Sequence, residues 1–155
     1  MRIHTHSPAQ TRHIGSALAR LLRPGDIVCL SGALGSGKTV LAKGIAGGLG
    51  IDKDEVISPT FVIVREHRGR VPLYHFDLYR LERPDDIVSL GYEEYIYGRG
   101  ISVIEWSERL GALMPEEYLG VRARIAGEKS RSFDISAHGR RYQEVAKKIH
   151  ETFSD

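Results

Sequence analysis

The chain of 155 residues contains no asparagine and a single cysteine. Without asparagine, the Asn-Lys-x-Asp motif by which GTPases read guanine cannot be present. One cysteine excludes an intramolecular disulfide and sets a cytoplasmic protein as the expectation. No apolar run approaches the ~20 residues that cross a bilayer, and the N-terminus carries no signal-peptide core, so no membrane association is expected. Charge of one sign is also scarce. Lys and Arg number 22 against 20 Asp and Glu, a net charge of +2, which argues against a protein dominated by nucleic-acid backbone binding. The 16 arginines are scattered along the chain. One basic cluster, Arg140, Arg141, Lys147 and Lys148, reads as the solvated face of a C-terminal helix, with an RNA or partner contact as the alternative. Repeats, low-complexity stretches and linkers are missing too, so residues 1–155 read as one domain, long enough to bury a single core.

Glycine, by contrast, is plentiful, and it is concentrated where it has a task. Gly32-Ala33-Leu34-Gly35-Ser36-Gly37-Lys38-Thr39 matches the phosphate-loop pattern G-x-x-x-x-G-K-[ST] in full. Gly32, Gly35 and Gly37 let the backbone curl until its N–H groups face a phosphate chain. Lys38 would set its charge against the β- and γ-phosphates, and the Thr39 hydroxyl would ligate Mg²⁺. The flanks agree. Residues 26–31 form a short apolar, β-forming run after Pro24-Gly25, and Val40, Leu41, Ile45 and Leu49 recur at helical spacing until Gly47-Gly48 and Gly50 stop the helix. Strand, loop and helix in this order predict binding of a nucleoside triphosphate, and the missing asparagine points to ATP.

Elsewhere the pattern predicts an edge strand at 2–6, then a helix opened by Ser7-Pro8-Ala9-Gln10 with a capping box. His4 and His6 alternate on one strand face, but two histidines make a poor metal site and read as structural. A hairpin follows at 60–67 and 71–76 around Arg68-Gly69-Arg70, then short helical pieces at 84–90 and 93–97. A buried strand at 101–104, strands at 118–126 and 130–136, and a helix at 140–152 complete the chain. The fold class expected is α/β, a three-layer P-loop NTPase-like sandwich with a mixed sheet flanked by helices.

A phosphate loop needs an acidic partner at the end of a neighbouring strand. Glu105, after Val103-Ile104, fits a metal ligand; otherwise it is a surface glutamate at a strand end. Asp77, after Tyr74-His75-Phe76, could deprotonate or orient water, bind Mg²⁺ through water, or cap the turn at 78–80. Thr60, in Ser58-Pro59-Thr60, could offer its hydroxyl to the γ-phosphate or start a strand. Trp106 is either core or a lid beside Glu105, with core as the stronger reading.

The motifs Gly32–Thr39, Ser58-Pro-Thr-Phe61, His75-Phe-Asp-Leu-Tyr-Arg80 and Glu105-Trp106-Ser107-Glu108 resemble, in order and spacing, those of the bacterial TsaE family. The resemblance runs over nearly the whole chain and is weakest at the C-terminal helix. It implies a small ATPase required for the threonylcarbamoyladenosine (t6A) modification of tRNA. It makes Lys38 the phosphate-binding lysine, Thr39 and Glu105 the Mg²⁺ ligands, and Asp77 an essential second carboxylate. Catalytic residues would be Lys38, Asp77 and Glu105. The nucleotide would be held by Gly32, Gly35, Ser36, Gly37, Lys38, Thr39, Val40, Thr60, Trp106 and Arg131, with Ser7-Pro8 near the adenine. The implied partners are TsaD and TsaB, with tRNA reached through their complex. Two rival readings are a small-molecule kinase, with residues 85–100 as a short lid, and an ATP-gated binding module.

Overall fold

The computed structural model describes residues 1–52, 54–56 and 63–153. Among the described residues seven strands form one mixed sheet in the order β1-β7-β6-β2-β5-β4-β3. They are β1 (Arg2–Thr5), β2 (Ile27–Ser31), β3 (Val64–His67), β4 (Leu73–Asp77), β5 (Ile101–Glu105), β6 (Tyr118–Ile125) and β7 (Arg131–His138). The central strands β6, β2, β5 and β4 run parallel, and antiparallel pairs close both sides. The apolar runs in β2 and β5 are buried on both faces, as parallel central strands require.

Helices cover both faces. On one, α1 (Pro8–Leu21), α2 (Lys38–Gly48) and α5 (Arg140–Phe153) lay Leu18, Ile45, Val145 and Ile149 against Val28, Leu30, Val103 and Val121. Each fully buried aliphatic side chain contributes about 1.5–3 kcal/mol. On the other face, α3 (Pro84–Val88), α4 (Tyr92–Ile96) and two 3₁₀ turns within Ser107–Leu113 bury Ile87, Tyr92, Ile96 and Leu110 against Cys29, Phe76 and Ile104. This is the three-layer α/β arrangement expected from sequence. Among the described residues no helix is long and apolar enough to cross a membrane.

Four local expectations need adjusting. α2 does end at Gly48, with Leu49 as its cap and Gly50 beyond at φ +82°, but Gly47 and Gly48 lie inside the helix. Gly48 serves packing instead, because a Cβ there would run into Ala19 and the backbone of Ser16 on α1. The capping box at α1 is shifted by one residue: Ser7 Oγ accepts from Gln10 N, but Gln10 Oε1 accepts from His6 N. Arg141 is not simply solvated, since it pairs with buried Asp26 at 2.8 Å and donates to the Leu21 carbonyl, tying α5 to the turn before β2. Residues 85–100 do not form a lid. Ile87, Tyr92 and Ile96 are committed to the second core, and α4 lines a cleft with Pro24 and Ile27 at the opposite end of β2 from the glycine loop.

Candidate functional site

β2 delivers the glycine-rich loop at its C-terminal end, and α2 carries the chain away. Gly32, Gly35 and Gly37 sit at φ +132°, +78° and +107°, where other residues are strained. At Gly32 a Cβ would also strike the Ala123 carbonyl of β6, so two requirements meet at one position. Gly37 caps α2, whose first turn aims unpaired N–H groups and the positive end of its dipole at the space under the loop. That geometry suits a phosphate.

Lys38 is buried, and its ammonium folds back on the loop. It donates to Gly32 O at 2.5 Å, to Ala33 O at 2.9 Å and to Ser36 Oγ at 3.4 Å. The same nitrogen lies 4.1 Å from the centroid of the Trp106 ring. Burial holds the Lys38 pKa below its ordinary value, against the opposing pull of Glu105, Glu108 and Asp77. Those three carboxylates define the acidic side of the site.

Glu105 is 2 % exposed, and both of its oxygens are engaged. Thr39 Oγ1 donates to Oε1 at 2.7 Å, and His75 Nε2 meets Oε2 at 2.5 Å. The surface-glutamate alternative is thereby removed. Asp77 stands beside Glu105 in register on β4, half-buried, with Oδ1 accepting the Tyr79 amide at 3.0 Å. The turn cap read from the sequence is therefore present, and it leaves Asp77 next to Glu105.

Trp106, straight after Glu105, is the one non-glycine residue with positive φ among the described residues (φ 59°). Such a backbone costs about 1–3 kcal/mol and persists where its surroundings enforce it. Here Ser107 Oγ donates to the Leu30 carbonyl at 3.2 Å and pins the turn to the end of β2. The ring is half-buried between Lys38 and Tyr79, whose ring centroid is 4.9 Å away, and Arg109 lies 5.9 Å from its centroid. Trp106 thus belongs to the mouth of the site as much as to the core, and its backbone strain explains why sequence pattern alone understated it.

The remaining expected residues are placed as follows. Ser36 is buried within the loop, and Val40 is half-buried on the first turn of α2. Arg131 Nε donates to the Gly35 carbonyl at 3.1 Å while its other nitrogen holds carbonyls of the β6–β7 turn, so this side chain braces the loop from outside. Thr60, with Ser58-Pro59-Phe61, lies outside the described residues.

Three participants were not singled out from sequence. His75 shares a strand face with Asp77 by two-residue alternation, which was the available signal. Glu108 lies in the first 3₁₀ turn after β5, three residues beyond Glu105, and the Glu-x-x-Glu spacing was the available signal. Burial against the loop raises its carboxyl pKa, with Lys38 opposing. Arg109 was hidden among many arginines.

Comparison with known proteins gives a consistent picture. Residues 5–133 match the family model "Threonylcarbamoyl adenosine biosynthesis protein TsaE". The tRNA threonylcarbamoyladenosine biosynthesis protein TsaE of Treponema pallidum is 40% identical over 136 residues, covering 88% of this chain and 100% of that protein. The protein of the same name from Bacillus subtilis is 38% identical over 150 residues, 96% of this chain and 93% of its own. The crystal structure of Bacillus subtilis YdiB superposes with a TM-score of 0.83 at 33% identity, covering 98% of this chain and 95% of that one.

Proposed function

Because the chain belongs to the TsaE family of threonylcarbamoyl adenosine biosynthesis proteins, we propose that it is a Mg²⁺-dependent ATPase working in t6A modification of tRNA. The observation that carries this reading is the 2.7 Å contact of Thr39 Oγ1 with the buried Glu105 carboxylate, formed beside Lys38 at the mouth of the phosphate loop. Mg²⁺ takes oxygen ligands in an octahedron whose neighbouring positions stand about 2.9 Å apart. Two protein oxygens at 2.7 Å fit adjacent corners of it. The donor set is all oxygen, which suits a hard cation, so Thr39 and Glu105 would hold Mg²⁺. When bound, the ion would supply positive charge against the triphosphate.

The chain's own groups supply the rest. Lys38 would exchange the Gly32 and Ala33 carbonyls for phosphate oxygens. The loop amides and the start of α2 would stabilise charge as the γ-phosphoryl leaves. Asp77, at the end of the next strand, would orient the attacking water. No arginine is assigned to the γ-phosphate, so hydrolysis is slow alone and rises on a TsaD–TsaB complex, the proposed partner. tRNA would be reached through that complex.

Phosphate release from ATP with Mg²⁺ tests the reading, measured for the protein alone and with TsaB and TsaD. Slow release that the partners stimulate, and that Lys38→Ala abolishes, is expected. ATP binding with no release in either condition would overturn it in favour of a nucleotide-gated binding module. Release of ADP only with a small acceptor would mark a kinase instead.

A further inference from the structure

Glu105 does not reach Thr39 unaided. On the same face of the sheet His75 is fully buried (0 % exposed) between Leu73 and Asp77, one strand over and one step back from Glu105. Its Nε2 meets Glu105 Oε2 at 2.5 Å, and among the described residues its Nδ1 has no hydrogen-bond partner. Leu73 and Val103 flank His75 on this face, with buried His67 on the neighbouring β3. A ring nitrogen buried without a partner is unfavourable. The contact with Glu105 is what offsets it.

The contact also fixes which atom donates. A carboxylate oxygen can only accept, so Nε2 carries a proton and donates it to Oε2. With Oε2 held in this way, the carboxylate plane is set and Oε1 is turned to Thr39 Oγ1. We propose that His75 is a positioning residue, whose Nε2–H clamps one oxygen of Glu105 so that the other is presented with the Thr39 hydroxyl to a divalent cation. The proposal rests on the metal role of Glu105 put forward above. Outer hydrogen bonds of this kind orient ligating carboxylates, and losing one typically costs about 10–100-fold in metal affinity.

Two substitutions separate this from a packing role. In His75→Gln the amide nitrogen falls near the position of Nε2 and reaches Glu105; in His75→Asn it falls near Nδ1 and does not. Both are polar and buried, so they share the packing penalty. The readout is the Mg²⁺ concentration that gives half-maximal enhancement of binding of a fluorescent ATP analogue, alongside its affinity in EDTA and the thermal midpoint of the free protein. We expect His75→Asn to raise the Mg²⁺ requirement about 10–100-fold with the EDTA affinity little changed, and His75→Gln to stay within about threefold of wild type. Equal shifts in both variants, or none in either, overturn the proposal. Glu105→Gln serves as the reference. If it too leaves the Mg²⁺ requirement unchanged, the metal reading itself fails; if it raises the requirement while His75→Asn does not, only the role of His75 fails.

Discussion

β4 and β5 run side by side and each ends in a carboxylate, Asp77 in register with Glu105, yet the two ends are built differently. Glu105 is 2 % exposed, held by Thr39 on one oxygen and by His75 on the other, and followed by a strained Trp106 that Ser107 pins to β2. Asp77 is half-buried and is followed by a turn that it caps through the Tyr79 amide. Both residues lie on the sheet face toward α2, so strand geometry alone does not distinguish them. Their surroundings do. A carboxylate fixed at both oxygens suits a task in which position must not vary, such as holding a metal ion. One at a turn, half open to water, suits a task in which a water molecule must come and go.

The sharpest way to break this contrast is to remove each acid in turn. Glu105→Ala should lower Mg²⁺-dependent ATP hydrolysis by about 10³-fold and weaken nucleotide binding only when Mg²⁺ is present. It also leaves His75 and Thr39 unpaired, so a lower thermal midpoint is expected. Asp77→Ala should cut turnover by about 10²-fold or more while the affinity for an ATP analogue stays within a few-fold. Calorimetric titration beside single-turnover hydrolysis distinguishes the two patterns. Matching losses of binding and turnover in both variants would erase the division of labour drawn here.

Much of this was legible before any coordinates. The strand–loop–helix unit, the hairpin, the mixed sheet and both candidate acids follow from periodicity and glycine placement, because each is a local or near-local signal. What was not legible depends on partners far apart in sequence. His75 and Glu105 are 30 residues apart, and nothing in a strand pattern says that a histidine will face a carboxylate on the next strand. Asp26 and Arg141 are 115 residues apart, so an arginine that ties a helix to a turn reads as one more surface charge. Gly48 reads as a helix stop because its contact with Ala19 and Ser16 belongs to helix packing. Trp106 reads as core since a left-handed tryptophan is improbable from propensity alone.

A subtler probe of the Glu105 end uses that tryptophan. It is the only one in the chain, and the Lys38 ammonium lies 4.1 Å from its ring centroid. If Lys38 leaves the loop carbonyls for phosphate oxygens, the field at the indole changes, so Trp fluorescence should respond to ATP. The response should vanish in Lys38→Ala and persist in Asp77→Ala. A full response in the Lys38 variant would show that the ring senses something other than the amine.

The smallest effect expected is on stability, and it sharpens the contrast from beneath. His67 on β3 is buried on the face that carries His75, with Nε2 unpartnered among the described residues. Burial, and next the neighbouring His75, hold its pKa below the ordinary value, with Glu55 opposing and Arg65 adding to the depression. The unfolded chain takes up this proton near pH ~6.5 and the folded chain only at lower pH, so below that point the unfolded state binds more protons. Stability contributed by the neutral ring is therefore full above about pH 6.5 and declines as pH falls toward the folded value. In urea unfolding, wild type should lose more stability between about pH 7.5 and pH 5.5 than His67→Gln, which has no proton to gain at this position. Equal losses would mean that His67 charges without penalty. The buried side of β3 and β4 would then be no less tolerant of charge than the Asp77 end, and the contrast would rest on Glu105 alone.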